Sequence, residues 1–414
     1  MHLQRLICFE NKKLKKGNIM HIHFIGICGT FMAGLARLAL ALGHEVTGSD
    51  REFYPPMSEQ LRDMGIKTYK GFEADIWDTI HPDLVIVGNV CSRGMPIIEA
   101  MLARNLPYTH GPAWLGEQLL KDRYVFAIAG THGKTTTTAM LTHILRENGI
   151  DSGYLIGGVV PAFRDSAALG SSDYFVIEAD EYDSAYFDKR PKLLHYHSDT
   201  LVIGNAEFDH ADIYEHVGQI ENQLHYGVRL VPPSGTVIFG GGEHVKNIRD
   251  KGVWSNVIDL NAGDYALRGR DMIKNGESVA TLPEQLIGIH NQSNALMACL
   301  AAQQAGISLA DAAQALATFT GVKRRLELLA DINDIRIYDD FAHHPTAVSL
   351  TLSALRENFP DRRIISVLEP RSNTMKMGEH AEKLPAVLAI ADKSYVYLPD
   401  SMGWHLGGDS EVSS

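Results

Sequence analysis

The chain has 414 residues, with 38 Lys and Arg against 50 Asp and Glu and a formal net charge of -12. That balance argues against a general polyanion binder, because phosphate-backbone binding is driven by basic surface, so no nucleic-acid partner is expected. Hydrophobic residues make up 45% and charged residues 21%, the mix of a globular chain long enough for two or three domains.

Four cysteines, Cys8, Cys28, Cys91 and Cys299, are far apart and form no CxxC pair. This is neither a disulfide framework nor a zinc module, and it points to a reducing compartment. The longest apolar stretch, Phe31 to Leu42, is broken by Arg37 and is too short to span a bilayer. Lys12, Lys13, Lys15 and Lys16 precede no apolar segment of the kind a secretory signal needs. A cytoplasmic protein with no membrane partner is expected.

Strong order begins at Met20. His21 to Ile25 reads as a strand, Phe31 to Leu42 as a helix ending at Gly43, Glu45 to Gly48 as a second strand and Leu84 to Val87 as a third. Short apolar strands alternating with helices predict an α/β fold with parallel sheets. Pro107, Gly111 and Pro112 suggest a first boundary. A second block starts at Tyr124 and has strands near Tyr174 and Thr200, a more β-like stretch after Pro232, and a closing helix around Asn294 to Gln304. A third block begins near Gly321, with strands at Arg336–Tyr338, Arg363–Leu368 and Ser394–Leu398 and helices starting near Pro345 and Gly378. The expected domains are 20–112, 113–321 and 322–414.

The strongest motif is Gly130–Thr136 (GTHGKTT), between a strand and a helix that stops at Gly149. Gly130 and Gly133 let backbone N–H groups approach anionic oxygens, and the helix N-terminus adds positive potential. Lys134 is placed to reach terminal phosphates and the Thr135 hydroxyl to ligate magnesium. Ile128 stands where the longer GxxxxGK[ST] pattern has its first glycine. Two acidic clusters follow strands, Glu178–Asp183 and Asn205–Asp212, where ligands collect in open α/β sheets. Glu178 is the first candidate magnesium ligand.

These segments, with Gly288–Asn294 (GIHNQSN), Arg324–Arg325 and Asp339–Pro345 (DDFAHHP), resemble the Mur ligase family of ATP-dependent amide-forming enzymes. Gly26–Met32, Glu181–Arg190 and Glu369–Met375 resemble the branch that recycles murein peptides. The resemblance implies three domains: a Rossmann-like UDP-sugar domain, a P-loop ATPase-like central domain and a Rossmann-like C-terminal domain, part of which is expected to be missing from this sequence. It implies UDP-N-acetylmuramate, ATP and the tripeptide L-alanyl-γ-D-glutamyl-meso-diaminopimelate as substrates, joined through an acyl phosphate with Mg2+ as cofactor, by a monomer or weak homodimer. Free L-alanine as the amine, and a nucleotide-dependent regulator without a ligase step, stay open as alternatives.

By the same resemblance, Lys134, Glu178 and His210 are catalytic, and Thr135, Glu178 and His210 hold the metal. ATP is bound by Gly130, Thr131, His132, Gly133, Lys134, Thr135 and Thr136, with Asn291 on adenine, Arg325 on a phosphate and Asp340 on a ribose hydroxyl. Gly26, Gly29, Thr30, Phe31, Met32 and Asp50 bind the UDP-sugar, the diphosphate lying at the helix N-terminus. On spacing alone, those glycines also suit a dinucleotide site or a tight turn, and Asn291 also suits an N-cap. Arg371 and Asn373, after a third-domain strand, are the candidate peptide readers, and His343 and His344 are possible site residues. The stretch Ile220–Gly227 offers no lysine for the carbamylated metal bridge of some family members.

Overall fold

The computed structural model describes residues 19–163, 165–398 and 404. Cys8, the basic run Lys12–Lys16 and the end Gly407–Ser414 lie outside the described residues. The first domain is a parallel sheet in the order Lys67–Lys70, Glu45–Asp50, His21–Ile25, Leu84–Val87, Tyr108–His110. The central strands are buried on both faces because helices cover the sheet, and their one buried imidazole, His23, is paired with the Thr47 and Ser49 hydroxyls at 2.9 Å. The second strand runs on to Asp50, so Ser49 and Asp50 belong to it rather than to a closing turn. Lys67–Lys70 (KTYK) is a further strand without an apolar run to mark it. It is a polar edge, and lysines on an edge discourage pairing with other chains.

The helix Thr30–Ala41 packs between this sheet and the central domain. A Cβ on Gly34 would meet Leu155 Cδ1 at 2.4 Å, so glycine permits the close approach. A single apolar cluster therefore runs from Ile22, Leu35 and Leu38 into Leu155, Phe175 and Leu193. The other face of the first sheet buries Trp77 among Ile25, Val85, Ile97 and Met101.

The central sheet has the order Asn256–Asp259, Thr236–Phe239, Thr200–Ile203, Tyr124–Ala129, Tyr174–Glu178, Gly153–Leu155, Ala167–Ala168. All but the last pair run parallel. The helices Lys134–Glu147 and Ile289–Ala302 cover one face. The latter begins five residues before the Asn294 expected from its alanine content.

The third domain contains the hairpin Glu327–Ile332/Ile335–Asp339, the helix Pro345–Asn358 and the parallel pair Ile365–Leu368/Lys393–Val396. No helix starts at Gly378. That residue follows the short helix Asn373–Lys376 with φ +82°, and the next helix is Leu384–Leu388. Among the described residues, no helix is long and apolar enough to cross a membrane.

Candidate active site

The carboxyl ends of the central strands open into a cavity of about 760 Å³ where the three domains meet. Gly133 precedes the helix Lys134–Glu147 at φ +81°. A side chain there would combine left-handed strain with a contact at 2.4 Å to Asn294 Oδ1. The loop is pinned by Asn205, whose Oδ1 accepts from His132 N at 2.8 Å while its Nδ2 donates to His132 O at 3.0 Å.

Lys134 Nζ donates to Gly130 O at 2.7 Å and to Glu181 Oε2 at 3.0 Å, and lies 3.7 Å from Asp180 Oδ1. Burial alone would lower its pKa, but the Glu181 and Asp180 carboxylates outweigh it and hold the ammonium above its usual range. Burial would raise Asp180, yet Lys192 and Lys134 bring it down to about 2. Glu178 is pushed up, first by burial and then by Asp180. Its Oε2 accepts from the Thr135 hydroxyl at 3.1 Å and its Oε1 from Gly157 N at 2.6 Å. His210 sits in left-handed backbone at φ 54°, a strained conformation for this residue, with Nε2 3.5 Å from Glu181 Oε1. Among the described residues, Glu181 Oε1 is buried without a hydrogen-bond partner.

The third domain reaches the cavity through Arg325, which lies between two left-handed residues, Arg324 and Leu326. Arg325 Nη2 donates to Thr135 Oγ1 at 3.4 Å, and burial lowers its pKa. Asp340 receives Leu326 N at 2.6 Å and Ala342 N at 2.7 Å, which holds this joint in shape. Polar contacts then seat the domain on the segment after Ile203. Thr346 Oγ1 donates to Glu207 Oε2 at 2.6 Å, Thr374 Oγ1 to Asp209 Oδ1 at 2.8 Å and His344 Nε2 to Phe208 O at 3.2 Å.

Most residues singled out in the sequence meet here. Thr131 to Thr136, Glu178 and His210 line the cavity, as do Asn291, Arg325 and Asp340. Gly26, Gly29, Thr30, Phe31 and Met32 line its first-domain wall. Gly130 contributes its carbonyl to Lys134 rather than a surface. Asn291 is not an N-cap. Gly288 caps the helix, and Asn291 lies in its first turn, its amide on Ile287 O at 2.9 Å.

Three candidates lie outside the cavity lining. Asp50 is outside the cavity lining and pins the glycine turn, with Oδ2 accepting from Cys28 N at 2.8 Å. Arg371 is 73% exposed and paired with Glu369 at 2.8 Å. Asn373 donates to Asp212 Oδ2 at 2.9 Å, a contact between domains. Neither Arg371 nor Asn373 lines the cavity.

Three family models match in order: "Mur ligase family, catalytic domain" over residues 21–123, "Mur ligase middle domain" over 128–302 and "Mur ligase, glutamate ligase domain" over 324–409. The chain belongs to the Mur ligase family. This Mur ligase is 47% identical over 408 residues to the UDP-N-acetylmuramate–L-alanyl-γ-D-glutamyl-meso-2,6-diaminoheptandioate ligase of Escherichia coli (strain K12), covering 95% of this chain and 88% of that protein. A UDP-N-acetylmuramate–L-alanine ligase of Acetivibrio thermocellus is 33% identical over 389 residues, covering 90% of this chain and 79% of that one. The crystal structure of a murein peptide ligase from Psychrobacter arcticus superposes with a TM-score of 0.75 at 44% identity, covering 93% of this chain and 86% of that chain.

Sequence reasoning missed the joint between the first and central domains of this Mur ligase. The hairpin Asp183–Ala185/Asp188–Pro191 leans on the first sheet, with Phe187 5.2 Å from the Tyr108 ring. Asp188 accepts three bonds from Arg190, one of them from its backbone N, and its Oδ2 lies 3.1 Å from His110 Nε2 and 3.4 Å from His195 Nε2. His110 Nδ1 accepts from Ala113 N, so its Nε2 carries the proton that goes to Asp188. These groups form a buried polar latch, in which burial lowers the pKa of both imidazoles. The one available signal was the density of charge in Glu181–Arg190.

Proposed function

We propose that the chain is an ATP-dependent amide ligase that joins UDP-N-acetylmuramate to the tripeptide L-alanyl-γ-D-glutamyl-meso-diaminopimelate, in murein-peptide recycling. The observation that carries this reading is the convergence of a first-domain glycine turn, the Lys134 loop and third-domain Arg325 on one cavity, in a chain 47% identical to a ligase of that name.

In the proposed reaction, ATP lies along Gly130–Thr136 with its terminal phosphate at Lys134. The lactyl carboxylate of the sugar attacks that phosphorus, and ADP leaves with the electrons of the broken bond. The tripeptide amine then attacks the acyl carbon, losing one proton as phosphate departs. Lys134 and Arg325 offset the charge that builds on the phosphoryl oxygens. The contacts of Thr346 and Thr374 on Glu207 and Asp209 hold the third domain over the cavity and keep water from the acyl phosphate.

The residues fit a hard divalent cation: Glu178 and Thr135 offer oxygens, and Glu181 Oε1 is a buried acceptor with no hydrogen bond. Glu178 and His210 would hold magnesium, which supplies charge neutralisation at the phosphates. Both nucleotide substrates are cytoplasmic molecules, which supports a cytoplasmic reaction.

ADP release tests the reading. Turnover that requires both UDP-N-acetylmuramate and the peptide supports a ligase, and turnover indifferent to both contradicts it. Glu178→Gln removes one ligand charge without changing size. The magnesium concentration at half-maximal activity should rise about tenfold while UDP-sugar affinity stays unchanged, from the rule that a tenfold change is 1.4 kcal/mol. An unchanged magnesium titration would put Glu178 outside the metal shell.

A further inference from the structure

Lys192 follows the hairpin Asp183–Ala185/Asp188–Pro191 and opens the turn Lys192–His195. Its side chain is 7% exposed, yet it lines the cavity. Nζ donates to Asp180 Oδ2 at 2.9 Å and to the Tyr182 hydroxyl at 2.8 Å. It lies 4.1 Å from the centre of the Tyr182 ring and 5.0 Å from that of Phe31. An ammonium has three donors, and the third has no acceptor among the described residues.

Asp180 links this lysine to the phosphate loop. One of its oxygens receives Lys192 and the other lies 3.7 Å from Lys134 Nζ. The two ammoniums therefore flank one carboxylate, Lys134 on the phosphate-loop side and Lys192 on the side of Phe31. A buried cation is costly unless it is paired and its donors are used. A donor left over on a cavity wall suits an anion arriving from the cavity.

We propose that Lys192 receives the lactyl carboxylate that distinguishes UDP-N-acetylmuramate from UDP-N-acetylglucosamine. The proposal rests on the ligase reading above. A single donor beside two aromatic faces matches one carboxylate oxygen. A diphosphate calls for several N–H groups, as a helix N-terminus provides. With the carboxylate on Lys192 and the terminal phosphate on Lys134, the attacking oxygen and its phosphorus stand on either side of Asp180, held as neighbours rather than left to diffuse together. Lys192 is thus a binding and specificity residue for the acyl substrate.

Calorimetric titration of both UDP-sugars into the unmodified protein and Lys192→Met tests this. Affinity for UDP-N-acetylmuramate should fall about 10- to 100-fold, the range for a hydrogen bond to a charged group, and affinity for UDP-N-acetylglucosamine should not change. Lys192→Gln keeps a donor for Asp180, guards against misfolding and should show the same selective loss. An equal fall for both sugars in Lys192→Gln, or no fall for either, overturns the role of Lys192 while leaving the ligase reading intact. An unmodified protein that does not prefer UDP-N-acetylmuramate and makes no amide product overturns both.

Discussion

Lys134→Ala should lower product formation by about 10³-fold at saturating ATP, the scale for removing one preorganised charge from a developing oxyanion. Among the described residues no other cation lies against Glu181 Oε2, and Lys192 is held on the far side of Asp180 by Asp180 and Tyr182. The substitution also leaves Glu181, 1% exposed, without its ammonium partner. An unpaired buried carboxylate is destabilising, so the melting temperature should drop as well. Lys134→Ala combined with Glu181→Gln separates the two effects: it should restore the melting temperature and leave product formation lost. Near-normal turnover in a folded Lys134→Ala protein would remove Lys134 from the chemistry.

Trp77→Ala should cost about 3–5 kcal/mol of first-domain stability, the range for emptying a large aromatic site in a core. Trp77 lies under the first sheet, meets His23 edge-on at 5.4 Å between ring centres, and donates its indole N–H to Ile97 O at 3.0 Å. Truncation leaves a cavity and removes the indole bond to Ile97 O. Tyr186, from the hairpin that precedes Lys192, packs against the same cluster, so the joint to the central domain should loosen too. Urea denaturation followed by a first-domain probe reads the effect, and a change below about 1 kcal/mol would contradict the packing described here.

The parts of the site written as contiguous sequence were readable. GTHGKTT lies on one strand-to-helix turn and Glu178 ends a strand, so spacing brought both to one edge of the sheet, whereas His210 came with the family resemblance. Arg325 and Asp340 came only with the family resemblance. The joint between the first two domains stayed hidden because its strands are three and four residues long. Its decisive pairs also join distant positions, His110 with Asp188 and Asn89 with Asp183. Lys192 belongs to no motif, and only the fold turns it inward onto Asp180. Arg371 and Asn373 do follow a strand, but that strand belongs to the pair Ile365–Leu368/Lys393–Val396, and their side chains meet Glu369 and Asp212 rather than the cavity.

Mass spectrometry of the products formed when free L-alanine, the tripeptide and a tetrapeptide are offered together, with UDP-N-acetylmuramate, ATP and magnesium, tests the central claim most directly. The account predicts that the tripeptide adduct of UDP-N-acetylmuramate dominates over the L-alanine adduct. A dominant L-alanine adduct, or ATP consumed with no amide product, would contradict it.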